Sequence, residues 1–307
     1  MIISASRRTD IPAYYAAWFF NRIREGFVSV RNPFYSHQVS KVFLSPERVD
    51  AFVFWTKNPK PMLNHLHLIK AYPYYFQFTL NAYAQDIETR LPEKSELVDT
   101  FISLAEKIGP HRVIWRYDPI LLNDTYPIAY HIEQFGIIAR KLQGYTKKVS
   151  FSFMDFYKKN AGKDINIAIK QEEKVLIATY IAKIAQEQGL LIETCAETMD
   201  LSPYGISHGR CIDDTLISQL SGYSVDGTKD KNQRLACRCV ESLDIGVYNT
   251  CLNGCVYCYA NHHPANGEKH AQPHNPLSPL MIGEYTHHDR VKERSLKSHK
   301  RLQNELF

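Results

Sequence analysis

Five of the seven cysteines of this 307-residue chain fall between Cys237 and Cys258, and none lies in the first 194 residues. Within that stretch the string CLNGCVYC sets Cys251, Cys255 and Cys258 at C-x3-C-x2-C. Thiolates are soft, strongly donating ligands that suit iron. Three of them on so short a loop can wrap one face of a cubane cluster and leave one iron open. An open iron can chelate the amino and carboxylate groups of S-adenosylmethionine and pass an electron into its sulfonium. Gly254 lets the turn pass close to such a cluster. The competing reading of the same spacing is a structural zinc knot, although those sites usually take four ligands in paired C-x2-C units.

Four cysteines remain: Cys195, Cys211, Cys237 and Cys239. Cys237 and Cys239 flank Arg238 and face the same way in an extended chain. Four thiols suffice for a second [4Fe-4S] cluster or, as the runner-up, for one tetrahedral zinc. The plainer alternative makes Cys195 and Cys211 buried small hydrophobes. An odd cysteine count, clustered, points to metal ligation in a reducing compartment more than to disulfides. The histidines of the tail, from His262 to His288, lack ligand spacing, and His65 and His131 are expected on helix surfaces.

The elements that must position these residues follow from periodicity. Apolar runs rich in Val, Ile, Phe and Tyr predict strands at Ile2–Ser6, Asp50–Thr56, Tyr75–Asn81, Arg112–Tyr117, Lys148–Met154 and Leu191–Cys195. Amphipathic stretches predict helices near Ala13–Glu25, Pro61–Ala71, Glu93–Ile108, Ile128–Leu142 and Glu172–Gln188. This alternation argues for an α/β fold of βαβ units on a parallel sheet, a partial (about six-unit) or complete TIM-like β/α barrel. A doubly wound open sheet is the alternative, but no G-x-G-x-x-G follows any strand and no P-loop is present. Residues 1–199 would form the barrel core. Residues 200–307, loop-rich and then cysteine-dense, would form a Cys-rich cap and basic tail packed on the barrel mouth.

Function in parallel α/β folds gathers at the carboxyl ends of strands. Those ends here carry Ser6, Arg7, Arg8, Thr9 and Asp10; Thr56, Lys57 and Asn58; Asn81; Arg116, Tyr117 and Asp118; Ser152 and Asp155; and Glu193, Cys195 and Glu197. We expect Arg7, Arg8, Asp10, Lys57, Arg116 and Asp118 to act on substrate, and Asn58 and Glu193 to help hold a cofactor. A mouth lined by Arg7, Arg8, Lys57 and Arg116 favours an anionic substrate.

Composition sets broad limits. Apolar residues make up 44% and charged residues 22%, ordinary for a globular protein. No run of about 18 apolar residues suggests a membrane span, and MIISASRRTDIP does not read as a signal peptide, so a cytoplasmic location is expected. The net charge of +5 permits an anionic partner without requiring one. Much of it sits in the tail beginning at His287, expected to be a solvated end, with a nucleic-acid-touching arm as the lesser reading.

C-x3-C-x2-C with an aromatic before the last cysteine resembles the radical S-adenosylmethionine signature, and CVYCYAN looks like the spore photoproduct lyase branch. That resemblance implies that Tyr257 packs near the adenine. Over nearly its whole length the chain resembles the bacterial domain-of-unknown-function family 1848. The matching segments are SASRRTDIPAYY, VFWTKNPKPM, WRYDPI, KDKNQR and SLDIGVYNTC…CVYCYAN. In ordinary radical enzymes of that superfamily the cluster loop follows the first strand, whereas here it follows the last, as in a circular permutation. Together these imply a radical enzyme that forms a 5′-deoxyadenosyl radical, acts on a small-molecule or nucleotide-like substrate, and is reduced by a flavodoxin or ferredoxin. The alternatives are a non-catalytic iron–sulfur electron carrier or redox sensor, and a zinc-stapled barrel hydrolase using Asp10, Asp118 or Glu193 as acid and base.

Overall fold

The protein is described by a computed structural model that covers residues 1–154, 168–294 and 298–301. Its centre is a sheet of eight parallel strands, among the described residues. In chain order these are β1 (Ile2–Ser4), β4 (Ala51–Thr56), β5 (Tyr74–Thr79), β6 (Val113–Ile120), β7 (Lys148–Phe153), β8 (Leu191–Thr194), β9 (Ser207–His208) and β10 (Leu243–Asp244). The spatial order is β10-β1-β4-β5-β6-β7-β8-β9. From β1 to β9 each strand lies beside the next one in the sheet's chain order, so the winding never reverses. That excludes the doubly wound alternative, which needs a switch point. The mixed α/β fold is consistent with a partial α/β barrel; β9 and β10 stand at the two edges.

Helices α1 (Ile11–Tyr14), α2 (Ala16–Glu25), α3 (Lys94–Ile108), α4 (Ile128–Lys141) and α5 (Gln171–Glu187) connect the strands. Their apolar stripes and one face of the sheet form the main core, with Phe52, Phe54, Phe76, Phe78, Trp115 and Phe151 fully buried. Phe19 of α2 meets Phe52 and Phe54 edge-on at 5.3 and 5.2 Å. Burying each such ring stabilises the fold by roughly 1.5–3 kcal/mol. On α5 the expected stripe holds at Ile177, Ala178, Ile181 and Ala185, with Val175 and Ile184 half-buried.

Two expectations fail. The helix expected at Pro61–Ala71 is two 3-10 turns, Lys60–Met62 and Leu66–Ile69. Proline is tolerated at a helix's first position, so the break falls later, in the turn at residues 63–65, where Asn64 favours a turn over a helix interior. The chain also builds a second sheet that periodicity did not reveal: β2 (Phe27–Arg31), β3 (Gln38–Phe43) and β11 (Arg290–Glu293). β11 pairs in parallel with β3 from 252 residues away at Arg290↔Gln38. Its four residues are all exposed, so it carries no apolar alternation to read.

The opposite face of the main sheet is covered by the chain past residue 199. Helix α6 (Asp214–Ser221) and the segments flanking it place Ile212, Leu216, Ile217, Val225 and Val240 against Ile2, Ala51, Val53, Tyr75 and Ile114. The later segment also supplies β9 and β10 to the main sheet. Asp155 lies outside the described residues, as does part of the basic tail.

Candidate metal centre

The loop carrying Cys251, Cys255 and Cys258 lies across the carboxyl ends of β1, β4 and β5, held by side chains that follow those strands. Asp10, after β1, caps α1 by accepting from the Ala13 N–H at 3.1 Å, and its other oxygen accepts from the Lys57 N–H at 2.8 Å and from Asn253 Nδ2 at 3.0 Å. Tyr14 donates to Asn253 Oδ1 at 2.8 Å, and Tyr15 to the Thr250 carbonyl at 2.6 Å. On the other side, the Val256 N–H donates to the Ile87 carbonyl at 3.0 Å, and Glu88 and Cys255 form an antiparallel bridge. Gly254 sits at φ +69°, and a Cβ there would run into Thr89 Oγ1. Glycine is required at this turn by the approach of Thr89 as well as by its backbone.

Cys255 is buried, and Cys251 and Cys258 are half-buried. Burial pushes the Cys255 thiol up to about 12, opposed by the nearby Lys57 ammonium, and holds Cys251 well above the usual thiol range, reinforced by Cys258 and Asp10. Tyr257 is buried beside them. Its hydroxyl donates to Glu88 and accepts from Asn81 Nδ2 at 3.1 Å.

Glu88 is the hub of this side, and nothing in its sequence setting marks it. It is fully buried in the loop after β5, and accepts from Lys57 Nζ at 2.7 Å, from Lys94 and from Tyr257. Burial alone would push its carboxyl up; Lys57 and Lys94 overcome that and hold it below the usual range. Lys57 is raised correspondingly by Glu88, and its ammonium lies 5.4 Å from the Tyr257 ring centroid.

Each of the expected catalytic cations has an acidic partner. Arg7 pairs with Asp230 at 3.5 Å and Asp244 at 4.0 Å, and Arg8 with Asp244 at 3.9 Å. Asp244, on β10, also accepts from Ser4 at 2.7 Å and from the Arg7 N–H at 2.8 Å. Arg116 pairs with Asp118, which in turn accepts from Ser152. Burial acts against the Asp118 carboxylate, and Arg116 outweighs it. Asn58 only closes a local turn, accepting from the Lys60 N–H at 3.2 Å. Glu193 is turned toward Lys148, 3.2 Å away, and burial holds its carboxyl above the usual range. His131, expected on a surface, is fully buried: Nε2 donates to the Leu121 carbonyl at 2.7 Å and Nδ1 accepts from Tyr117 at 2.9 Å. His65 is exposed as expected.

The other four cysteines lie together on the sheet face that α6 covers. Cys195 Sγ is 3.3 Å from Cys211 Sγ, the Ile212 N–H donates to Cys239 Sγ at 3.4 Å, and Cys237 packs in the same cluster. Among the described residues, no three or more His, Cys, Asp or Glu side chains surround a common point as a ready-made metal cage.

Among the described residues no helix is long and apolar enough to cross a membrane. No curated protein matches the chain. Residues 2–260 match the family described as domain of unknown function DUF1848, which covers most of the chain, and the protein belongs to that family.

Proposed function

We propose that the protein is an iron–sulfur enzyme of the radical S-adenosylmethionine type, with Cys251, Cys255 and Cys258 as the cluster ligands and residues 246–263 capping the mouth of a partial barrel. The observation that carries the reading is the seating of one loop with three thiols on the carboxyl ends of the parallel strands, where such folds build their sites. The donor set fits: three soft thiols within one loop, sharing one another's electrostatic surroundings, suit iron better than a four-ligand zinc knot. When bound, such a cluster supplies the electron that splits S-adenosylmethionine into methionine and a 5′-deoxyadenosyl radical.

The chain's own residues hold and shield. Asn253, clamped between Asp10 and Tyr14, fixes the first half of the loop. Glu88 and Asn81 fix Tyr257 beside the thiols. Lys57 sets a positive charge near Cys255, which favours its thiolate. The substrate remains a small-molecule or nucleotide-like compound in this proposal, with a flavodoxin or ferredoxin as electron donor.

A second reading, a non-catalytic iron–sulfur carrier, is favoured by one observation: Arg7, Arg8, Lys57 and Arg116 are each neutralised by a carboxylate, leaving less positive charge for an anionic substrate. Anaerobic reconstitution separates the readings. Iron, a visible charge-transfer band and 5′-deoxyadenosine release under strong reductant are expected. Iron without S-adenosylmethionine cleavage favours the carrier, and zinc without iron overturns both.

A further inference from the structure

We infer that Cys195, Cys211, Cys237 and Cys239 form a second metal site, for one tetrahedral ion, with zinc the ion it fits. The four thiols come from the end of β8, the loop after β9 and the segment before β10, yet pack in one buried cluster. Three observations point to thiolates bound to a cation. The first is hydrogen bonding to sulfur. Arg116 Nη1 donates to Cys211 Sγ at 2.8 Å, and the Ile212 N–H to Cys239 Sγ at 3.4 Å. Donors aimed at sulfur orient and stabilise metal-bound thiolates. The second is the C-x-C pair at Cys237 and Cys239, which brings two thiols of one short segment into the same buried cluster.

The third is the spacing, which decides between ion and cluster. Zinc–sulfur bonds of about 2.3 Å in a tetrahedron put sulfurs about 3.8 Å apart. Cys195 and Cys211 stand at 3.3 Å, so a shift of a few tenths of an ångström opens this pair onto a shared ion. A cubane instead carries its four cysteines on four separate iron corners, with the cluster between them. Sulfurs in contact cannot occupy such corners without a much larger rearrangement. The four sulfurs do not yet surround one point, so binding must draw them together. A four-thiolate zinc site carries net charge −2, and buried Arg116, with Arg7 close to Cys239, supplies positive charge around it.

The site is independent of the mouth loop, and its test uses the full chain with Cys251, Cys255 and Cys258 all replaced by Ala. Metal analysis of this variant after expression with zinc and iron is expected to find about one zinc per chain and little iron. Replacing that zinc with cobalt should give the intense visible bands of tetrahedral thiolate ligation. Cys211→Ser and Cys239→Ser, each added to the variant, should cut bound zinc at least tenfold. In case these fail to fold, titrating the folded parent variant with a mercurial should release zinc in step with thiol modification. About four irons per chain in the triad variant would overturn the proposal in favour of a cubane. A Cys195–Cys211 disulfide in metal-free protein would overturn it in favour of a redox pair.

Discussion

The two cysteine groups of this protein are built in opposite ways. Cys251, Cys255 and Cys258 belong to one loop of eight residues, and their grouping is local. That loop is anchored from outside, by Asp10, Tyr14, Ile87 and Glu88. Cys195, Cys211, Cys237 and Cys239 span 45 residues and are gathered only because β8, β9 and α6 pack on the same sheet. A local motif can keep its ligand set while its surroundings change. A gathered cluster is part of the core and cannot be altered without disturbing packing.

The comparison is broken most sharply by removing ligands. Replacing Cys251, Cys255 and Cys258 by Ala should abolish 5′-deoxyadenosine release, read by chromatography, while far-ultraviolet circular dichroism stays unchanged. Loss of fold would show that the mouth loop is as structural as the inner cluster.

Next in size is the buried pair beneath the loop. Lys57→Met leaves the fully buried Glu88 with Lys94 as its one ionic partner among the described residues and should cost about 3–5 kcal/mol in urea unfolding. A loss under 1 kcal/mol would mean that Lys94 alone satisfies the carboxylate. The double change Lys57→Met with Glu88→Leu should recover much of the loss, since it removes the stranded charge.

His131 gives the same side a pH signature. Burial lowers it to about 4 from an ordinary 6.5, so the unfolded chain takes up its proton first as pH falls. Its contribution is intact above about pH 6.5 and is lost as pH falls toward 4, amounting to about 3 kcal/mol. Stability measured from pH 7 to 4 should fall less steeply in His131→Gln than in the parent, and equal slopes would refute the assignment.

Gly254→Ala is a smaller test: the +69° backbone and the clash with Thr89 should cost about 1–3 kcal/mol and reduce iron retention. Smallest is Tyr259→Phe, which removes a hydrogen bond to the Arg7 carbonyl at 2.7 Å and should cost about 1 kcal/mol without altering iron content.

How far these features could be read beforehand depends on whether their cause is local. The six buried strands and four of the five expected helices followed from apolar periodicity, because one face of each element must be dry. The stretch 61–71 misled because its spacing is helical while the chain turns at residues 63–65 and splits it into two 3-10 turns. The exposed strand β11 gave no signal, because its partner β3 lies more than 200 residues away and its own residues face water. His131 was misplaced because its partners, Tyr117 and Leu121, reach it through the fold.

Sequence by itself determined the local chemistry: three cysteines at C-x3-C-x2-C, a tyrosine between the last two, and polar residues at the strand ends. Spacing along the chain fixes which thiols can share a ligand when they sit within one turn. Only the tertiary structure decided that Arg7, Lys57 and Arg116 spend their charge on Asp244, Glu88 and Asp118, and that four cysteines spread over 45 residues meet. Charge pairing and burial depend on distances through space, and those are set when the sheet assembles.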